Sequence, residues 1–256
     1  MQPEAGVPGW LRPGWTAPAR VRALMSTRRA WPSASGADFD PGRDGSQPAA
    51  AANRAQLAIE LGARPVWLRQ VHGAEVVRID RWPGPEAPVA DAAVSAAPGV
   101  ACVVLAADCL PVLLCDDQGR AVAAAHAGWR GLAAGVLEHC VASLCAAAGC
   151  EPQALQAWLG PCIGPRRFEV GADVLQAFGA DPGQPGLPHF VRRDRPDGER
   201  RWLADLPALA RQRLLQAGVG RISGGGWCTV EDASAFFSFR RDGAVGRMAA
   251  AIALVD

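Results

Sequence analysis

Three features of the sequence predict a mixed α/β (α+β) fold, a single globular domain with central mixed sheets flanked by helices. Between residues 65 and 125 the apolar residues fall in short runs divided by turn residues, the pattern of strands. Beyond Gly131 the apolar spacing changes to four, with Leu132, Val136, Cys140 and Leu144 marking one face of a helix. A chain of 256 residues, half of them hydrophobic, can build one large core, although it lies near the length at which cores divide. One domain over residues 1–256 is therefore expected, with residues 1–18 as an extended N-terminal segment.

Taken in order, residues 21–27 read as a strand, followed by Arg28, Arg29 and a surface loop rich in Ser, Gly, Asp and Pro that ends at Pro48. Residues 49–61 read as a helix, with Leu57 and Leu61 one turn apart and Gly62 just beyond. A strand over 65–71 ends at His72-Gly73, and strands over 76–79, 92–94, 100–106, 112–114 and 121–125 make a sheet-rich centre. The helix that starts at Gly131 ends near Gly149, and 155–159 is a further strand. Helices follow over 169–178, with Val170, Val174 and Phe178 on one face, and over 203–217 before Gly218. Between them, residues 181–201 are rich in Pro, Gly and charge, which suits an irregular excursion or hairpin long enough to serve as a lid. Residues 236–240 and 248–255 read as closing strands joined by Arg241-Asp242-Gly243. No GxGxxG or GxxxxGK[ST] loop occurs, so a Rossmann or P-loop nucleotide site is unsupported.

Composition narrows the function. Net charge is +1 and the basic residues are scattered, so the electrostatic footprint of a nucleic-acid binder is missing. The first fifteen residues lack the basic start and apolar run of a secretory signal, and no apolar run is long enough to span a bilayer. A cytoplasmic protein is expected. Its eight cysteines include no CxxC pair and should be reduced thiols. Cys102, Cys115, Cys140 and Cys145 lie in Ala/Val/Leu-rich runs, where a thiol acts as a small hydrophobe.

Three segments place a metal-capable side chain where a strand ends: Gln70-Val71-His72-Gly73, Ala107-Asp108-Cys109-Leu110-Pro111-Val112 and His126-Ala127-Gly128-Trp129-Arg130-Gly131. Catalytic zinc takes imidazole and thiolate donors, keeps three protein ligands and leaves a fourth position to water. His72, Cys109 and His126 supply such a set. Each alone has a plainer reading, since a histidine after a strand is more often solvated than bound to metal. His139, in an Ala/Cys/Leu helix with no partner nearby in sequence, and His189, in the Pro-rich excursion, read as structural. A Cys-His hydrolase with Cys109 as nucleophile and His126 as its base is a competing reading. A closed structural zinc knot would require a fourth protein ligand that these motifs do not offer.

Together with Trp67-Leu68-Arg69, Gly160-Pro161-Cys162-Ile163-Gly164, Phe236-Phe237-Ser238-Phe239-Arg240-Arg241-Asp242-Gly243 and Gly246-Arg247-Met248, these strings closely resemble the laccase-domain family of bacterial "polyphenol oxidase" proteins, from about Trp10 to the C-terminus. The resemblance implies one α/β catalytic domain with zinc on His72, Cys109 and His126. It also implies phosphorolysis of adenosine, inosine and methylthioadenosine to free base and a ribose 1-phosphate, together with deamination of adenosine. A related member edits peptidoglycan precursors, which makes an amidase the alternative. The partners expected are thus a purine nucleoside and phosphate, with no nucleic acid and no membrane, and the protein a monomer or homodimer.

Copper-dependent phenol oxidation fits poorly, because multicopper centres need many imidazoles and the chain has four histidines. Copper(II) could still replace zinc adventitiously. Asp108 is the nearest carboxylate, either to move protons in deamination or to orient a ligand imidazole. Arg28, Arg130 and Arg240 are candidates for phosphate, and Gln70 and Cys162 for substrate contact. The chain departs from the family in the loop 34–48, where Asp38-Phe39-Asp40-Pro41-Gly42 stands in place of an aromatic-Ser-Leu-Asn-Leu-Gly-like stretch.

Overall fold

A computed structural model describes residues 9–30, 38–42, 45–243 and 246–256. Residues 1–8 of the expected N-terminal segment, and 34–37 and 43–44 of the divergent loop, lie outside them. The first half of the chain supplies β1 (Trp10–Leu11), β2 (Val21–Ser26), α1 (Pro48–Leu61), β3 (Arg64–Trp67), β4 (Val76–Arg78), β5 (Ala92–Ser95), β6 (Val100–Ala106), β7 (Leu110–Asp116) and β8 (Val122–Ala127). Then come α2 (Trp129–Ala133), α3 (Val136–Ala148), β9 (Leu155–Leu159), β10 (Glu169–Val170), α4 (Ala172–Ala177), β11 (Phe190–Arg192) and β12 (Trp202–Ala204). The chain closes with α5 (Leu206–Gln216), β13 (Arg221–Gly224), α6 (Phe239–Asp242) and β14 (Met248–Leu254).

Two mixed sheets dominate, one ordered β1-β2-β14-β6-β3 and the other β13-β9-β7-β8-β5-β4, beside a small antiparallel sheet β10-β12-β11. Strand alternation sorts the side chains into layers. Cys102, Val104, Ala250 and Ile252 of the first sheet meet Leu113, Cys115, Ala124 and Trp158 of the second. The opposite face of the first sheet, with Val103, Leu105 and Ala251, packs on Leu57 and Leu61 of α1. The opposite face of the second, with Val112, Leu114 and Ala125, packs on Leu137, Cys140 and Leu144 of α3 and on Leu209 of α5. Because both faces of each sheet are covered, β6, β7 and β14 are buried along their whole length, and β6 and β14 read as unbroken apolar runs, whereas β7 ends on the buried Asp116. Alanine is a poor strand former, yet it fills β8 and β14, where burial between layers outweighs propensity.

The structure departs from the sequence expectations at four helix boundaries. The helix expected from Gly131 is two helices, because Gly135 adopts a left-handed conformation (φ 92°) between α2 and α3. Glu169 and Val170 are not helical but pair with β12, and α4 begins only after Gly171. The helix expected from Leu203 starts at Leu206, where the Asp205 side chain accepts the Ala208 amide as an N-cap. The strand expected over 236–240 is absent: the Ser238 hydroxyl accepts the Arg241 amide and caps the short helix α6. The excursion 181–201 contains β11, which pairs with β12 as a hairpin. All eight cysteines are free; Cys102, Cys115 and Cys140 are buried, whereas Cys145 is half-buried.

Candidate metal centre and cleft

The site lies at one end of the sandwich, where strands of both sheets stop. Leu110 pairs with Ala127 and Pro111 with His126, so one further step along the β7–β8 ladder sets Cys109 beside Gly128. His72 arrives from the other sheet on the segment after β3. That segment is anchored by Gln70, whose amide donates to the Leu105 carbonyl (2.8 Å) and accepts from the Leu105 N–H (2.7 Å).

The metal-capable atoms of His72, Cys109 and His126 all lie within 4.8 Å of one another, the one such His/Cys/Asp/Glu group among the described residues. The Cys109 sulfur is 3.8 Å from His72 Nε2, and the two imidazoles meet edge to face with centroids 4.8 Å apart. Zinc–sulfur and zinc–nitrogen bonds of about 2.3 and 2.0–2.1 Å, set tetrahedrally, would separate such atoms by about 3.6 Å. The donor set therefore fits a divalent ion with three protein ligands. His126 is buried and His72 exposed, so the fourth side faces the cleft.

The electrostatics favour a cation. Burial pushes the Cys109 thiol up, but His126 and His72 together outweigh it and draw the thiol down to about 6. Burial pushes His126 down, and the Cys109 thiolate with Asp91 outweighs that and carries the imidazole up to about 9. A metal ion would take the place of the His126 proton beside a thiolate already formed. The backbone is strained at the same place. Only three described non-glycine residues have positive φ, and two of them are His72 (61°) and Asp108 (94°). Strain of this kind costs about 1–3 kcal/mol per residue and persists where surroundings enforce it.

The cluster opens into a cavity of about 820 Å³ whose lining includes Leu68, Leu105, Trp129, Ile163, Phe168 and Phe239. Four arginines also line it: Arg69, Arg130, Arg240 and Arg247. The Arg130 guanidinium stacks on the Trp129 ring at 4.3 Å, and Arg240 donates to the Glu169 carbonyl (3.1 Å) while lying 5.6 Å from the Phe168 ring centroid. Asp108 also lines the cavity, but it does not touch a ligand imidazole. It accepts from the Thr229 hydroxyl (2.5 Å) and the Arg240 amide (2.6 Å).

Of the residues singled out from sequence, His72, Asp108, Cys109, His126, Gln70, Arg130 and Arg240 meet here, although the Gln70 amide is spent on Leu105. Arg28 and Cys162 are not among the lining residues. Arg28 is held by Asp38, by the Ala233 carbonyl (2.9 Å) and by the Phe237 ring, and Cys162 is fully buried behind the site. Sequence reasoning missed Arg69 and Arg247, both inside motif strings. It also missed Asp91, a buried carboxylate whose oxygen lies 2.8 Å from His126 Nδ1. Its only signal was one charge inside an apolar stretch, Ala90-Asp91-Ala92-Ala93.

Comparison with known proteins agrees over nearly the whole chain. A purine nucleoside phosphorylase of Pseudomonas aeruginosa is 47% identical over 253 residues, covering 96% of this chain and 99% of the relative. The purine nucleoside phosphorylase YfiH of Escherichia coli is 47% identical over 205 residues, 79% of this chain and 80% of the relative. The crystal structure of Neisseria meningitidis protein NMB0706 superposes with a TM-score of 0.85 at 42% identity, covering 97% of this chain and all of that one. YlmD from Geobacillus stearothermophilus superposes with a TM-score of 0.84 at 30% identity, covering 99% and 98%. Residues 25–255 match the family described as multi-copper polyphenol oxidoreductase laccase, and with these relatives around it the chain belongs to that family.

Proposed function

We propose that this chain is a zinc-dependent purine nucleoside phosphorylase, acting in the cytoplasm on adenosine, inosine and methylthioadenosine, with adenosine deamination as a second activity. The observation that carries the reading is the cavity itself, which joins a His-Cys-His donor set to flat apolar walls and four arginines. The names of the relatives support it.

In phosphorolysis a phosphate oxygen bonds to C1′ of the ribose while the C1′–N9 bond breaks, and the purine leaves with the electron pair and takes up a proton. Arg130, Arg240, Arg69 and Arg247 bring the paired N–H groups that suit phosphate and stabilise the charge that develops. Trp129, Phe168 and Phe239 offer surfaces for a purine face, and burial of apolar surface there excludes water. Asp108, fixed by Thr229 and by the Arg240 amide, is the carboxylate that moves a proton to the departing base or during deamination. His72, Cys109 and His126 would hold the zinc, which supplies Lewis acidity when bound.

The oxidase chemistry in the family description meets a shortage of donors. Two of the four histidines lie outside the cluster, and His139 Nδ1 is engaged by the Ala74 carbonyl at 3.0 Å. One copper in place of zinc remains compatible with the donors. The Cys109 thiolate beside two imidazoles favours one other reading, a thiol amidase acting on a cell-wall precursor. Chelation separates the two, because a zinc enzyme loses activity and regains it with metal, whereas a thiol hydrolase ignores chelators and is killed by alkylation. The direct test incubates zinc-loaded protein with inosine or adenosine, with and without phosphate. Phosphate-dependent release of hypoxanthine or adenine is expected, and no base or deaminated product from fully loaded protein would sink the proposal.

A further inference from the structure

We infer that Asp91 is the positioning residue of the metal centre, one buried carboxylate that holds both histidine ligands, drawn from two different sheets, in place at once. This rests on the metal reading above and goes beyond the three ligands themselves.

Asp91 precedes β5, and the β5–β8 ladder (Ala92 with Ala125) sets it beside His126. The two are joined twice. The His126 N–H donates to the Asp91 carbonyl (2.7 Å), and His126 Nδ1 lies 2.8 Å from Asp91 Oδ1. A carboxylate can only accept, so Nδ1 keeps its proton, and Nε2 is the ring atom that gives up its own and offers a lone pair to the ion.

The same carboxylate reaches the His72 segment. Oδ1 accepts the His72 N–H (2.9 Å), and Oδ2 accepts those of Val71 (3.1 Å) and Gly73 (2.7 Å). Three successive amides converge on one anion, the concavity known as a nest, with the protein's own carboxylate in the anion's place. These bonds hold His72 at φ 61°, a conformation that a non-glycine residue rarely adopts unaided. Asp91 is fully buried, and its four contacts match the four lone-pair directions of a carboxylate. Asn cannot imitate this. Whichever oxygen becomes NH₂, either the Val71 and Gly73 contacts or the His72 and His126 contacts are lost, and donors face donors.

The test measures zinc affinity by chelator competition on wild type and Asp91→Asn, with thermal melts of both metal-free proteins and absorption spectra of both cobalt(II) forms. Asp91→Asn is expected to bind zinc about 10–100-fold more weakly and to show shifted cobalt bands at a temperature where it is folded. A role in folding alone would lower the melting temperature but leave affinity and bands unchanged, and that result overturns the inference. Nitrogen-15 spectra of His126 in the zinc-loaded wild type need no variant: a proton on Nδ1 with none on Nε2 supports the assignment, and a proton on Nε2 with none on Nδ1 overturns it even if Asp91→Asn fails to fold. Wild type that binds no divalent ion would instead defeat the metal reading itself.

Discussion

Replacing Gly128 with Ala isolates the geometry of the ligand cluster from the stability of the fold. Gly128 has φ −65° and ψ 158°, which any residue adopts, so the substitution introduces no backbone strain. An added Cβ would lie 2.9 Å from the Cys109 sulfur and 3.1 Å from His72 Cδ2. Non-bonded heavy atoms settle at about 3.5–4.0 Å, so the sulfur must retreat by about 0.6–1.1 Å. It has little freedom to do so, since Leu110 is locked in the ladder with Ala127 and the Asp108 carbonyl is tied to the Ile163 N–H. Metal–ligand distances hold to about ±0.2 Å, so the ion loses either its thiolate or its geometry. Zinc affinity should fall at least about tenfold, comparable to the effect of disturbing groups that orient ligands, while crowding costs about 1–3 kcal/mol of stability. Chelator competition reads the first quantity and a denaturant melt the second. Gly226→Ala is the control, because a Cβ there meets nothing within 4 Å. Wild-type affinity in Gly128→Ala would refute the reasoning, since it would mean that the sulfur does not need its present position.

Asp108→Asn should keep zinc with wild-type affinity, because its partners are Thr229 and the Arg240 amide rather than a ligand, and lose turnover by about 10²–10⁴-fold; loss of the metal would contradict this. Zinc affinity should rise with pH. The metal-free protein keeps the His126 proton until about 9 and releases the Cys109 proton near about 6, so one proton must leave per ion between those values. The expected slope is about tenfold in affinity per pH unit there and steeper below, and a flat profile in competition titrations would count against it. Asp116 is fully buried, and its carboxylate accepts the amides of Gln118, Arg120 and Ala121 at the β7–β8 turn. Burial pushes it up, but these bonds and the Arg120 side chain hold it below the usual range, so its contribution is present above the unfolded value and fades as pH falls through the folded one. Asp116→Ala should cost about 1–3 kcal/mol at neutral pH and lose stability less steeply on acidification, as read by melts at several pH values.

The elements most legible in the sequence were those whose signal is purely hydrophobic. Residues 100–106 and 155–159 are the strands β6 and β9 as read, because burial on both faces leaves a mostly apolar run with sharp ends, and α1, buried on one side at Leu57 and Leu61 and ended by Gly62, differs by one residue. Misreadings arose where two patterns coincide. Val170, Val174 and Phe178 satisfy a helical period, yet the first belongs to β10 and only the rest follow Gly171 into the helical turn. The aromatic run Phe236-Phe237 has strand propensity, but Arg241 donates to the carbonyls of Thr229, Val230 and Phe236 and folds the segment back on itself. The cluster was legible in its His72, Cys109 and His126 side chains, which are distinctive in sequence and meet in the structure, and not in what holds them. Asp91 and Arg28 show why: the same residue types in sequence become a buried fourfold acceptor in one case and a tether to Asp38 in the other, and only the fold decides.

That dependence follows from the ladders. Directly paired residues project to the same face of a sheet, so Asp91, His126 and Pro111 share the face that carries Ala93, Ala124 and Leu113 into the space between the sheets. Cys109 continues that alternation at the end of β7, while His72 crosses from the opposing sheet. A slip of one residue in either β5 or β7 would turn every side chain of that strand over, setting Asp91 on the helical face with Ala125 and Leu137 and carrying the Cys109 position to that face too. The buried faces therefore enforce the register, and the register sets the spacing of donors at the strand ends. A centre built this way needs no long-range motion to assemble. Its tolerance to substitution should follow how closely a residue is tied to β5, β7 and β8 rather than how near it lies to the metal.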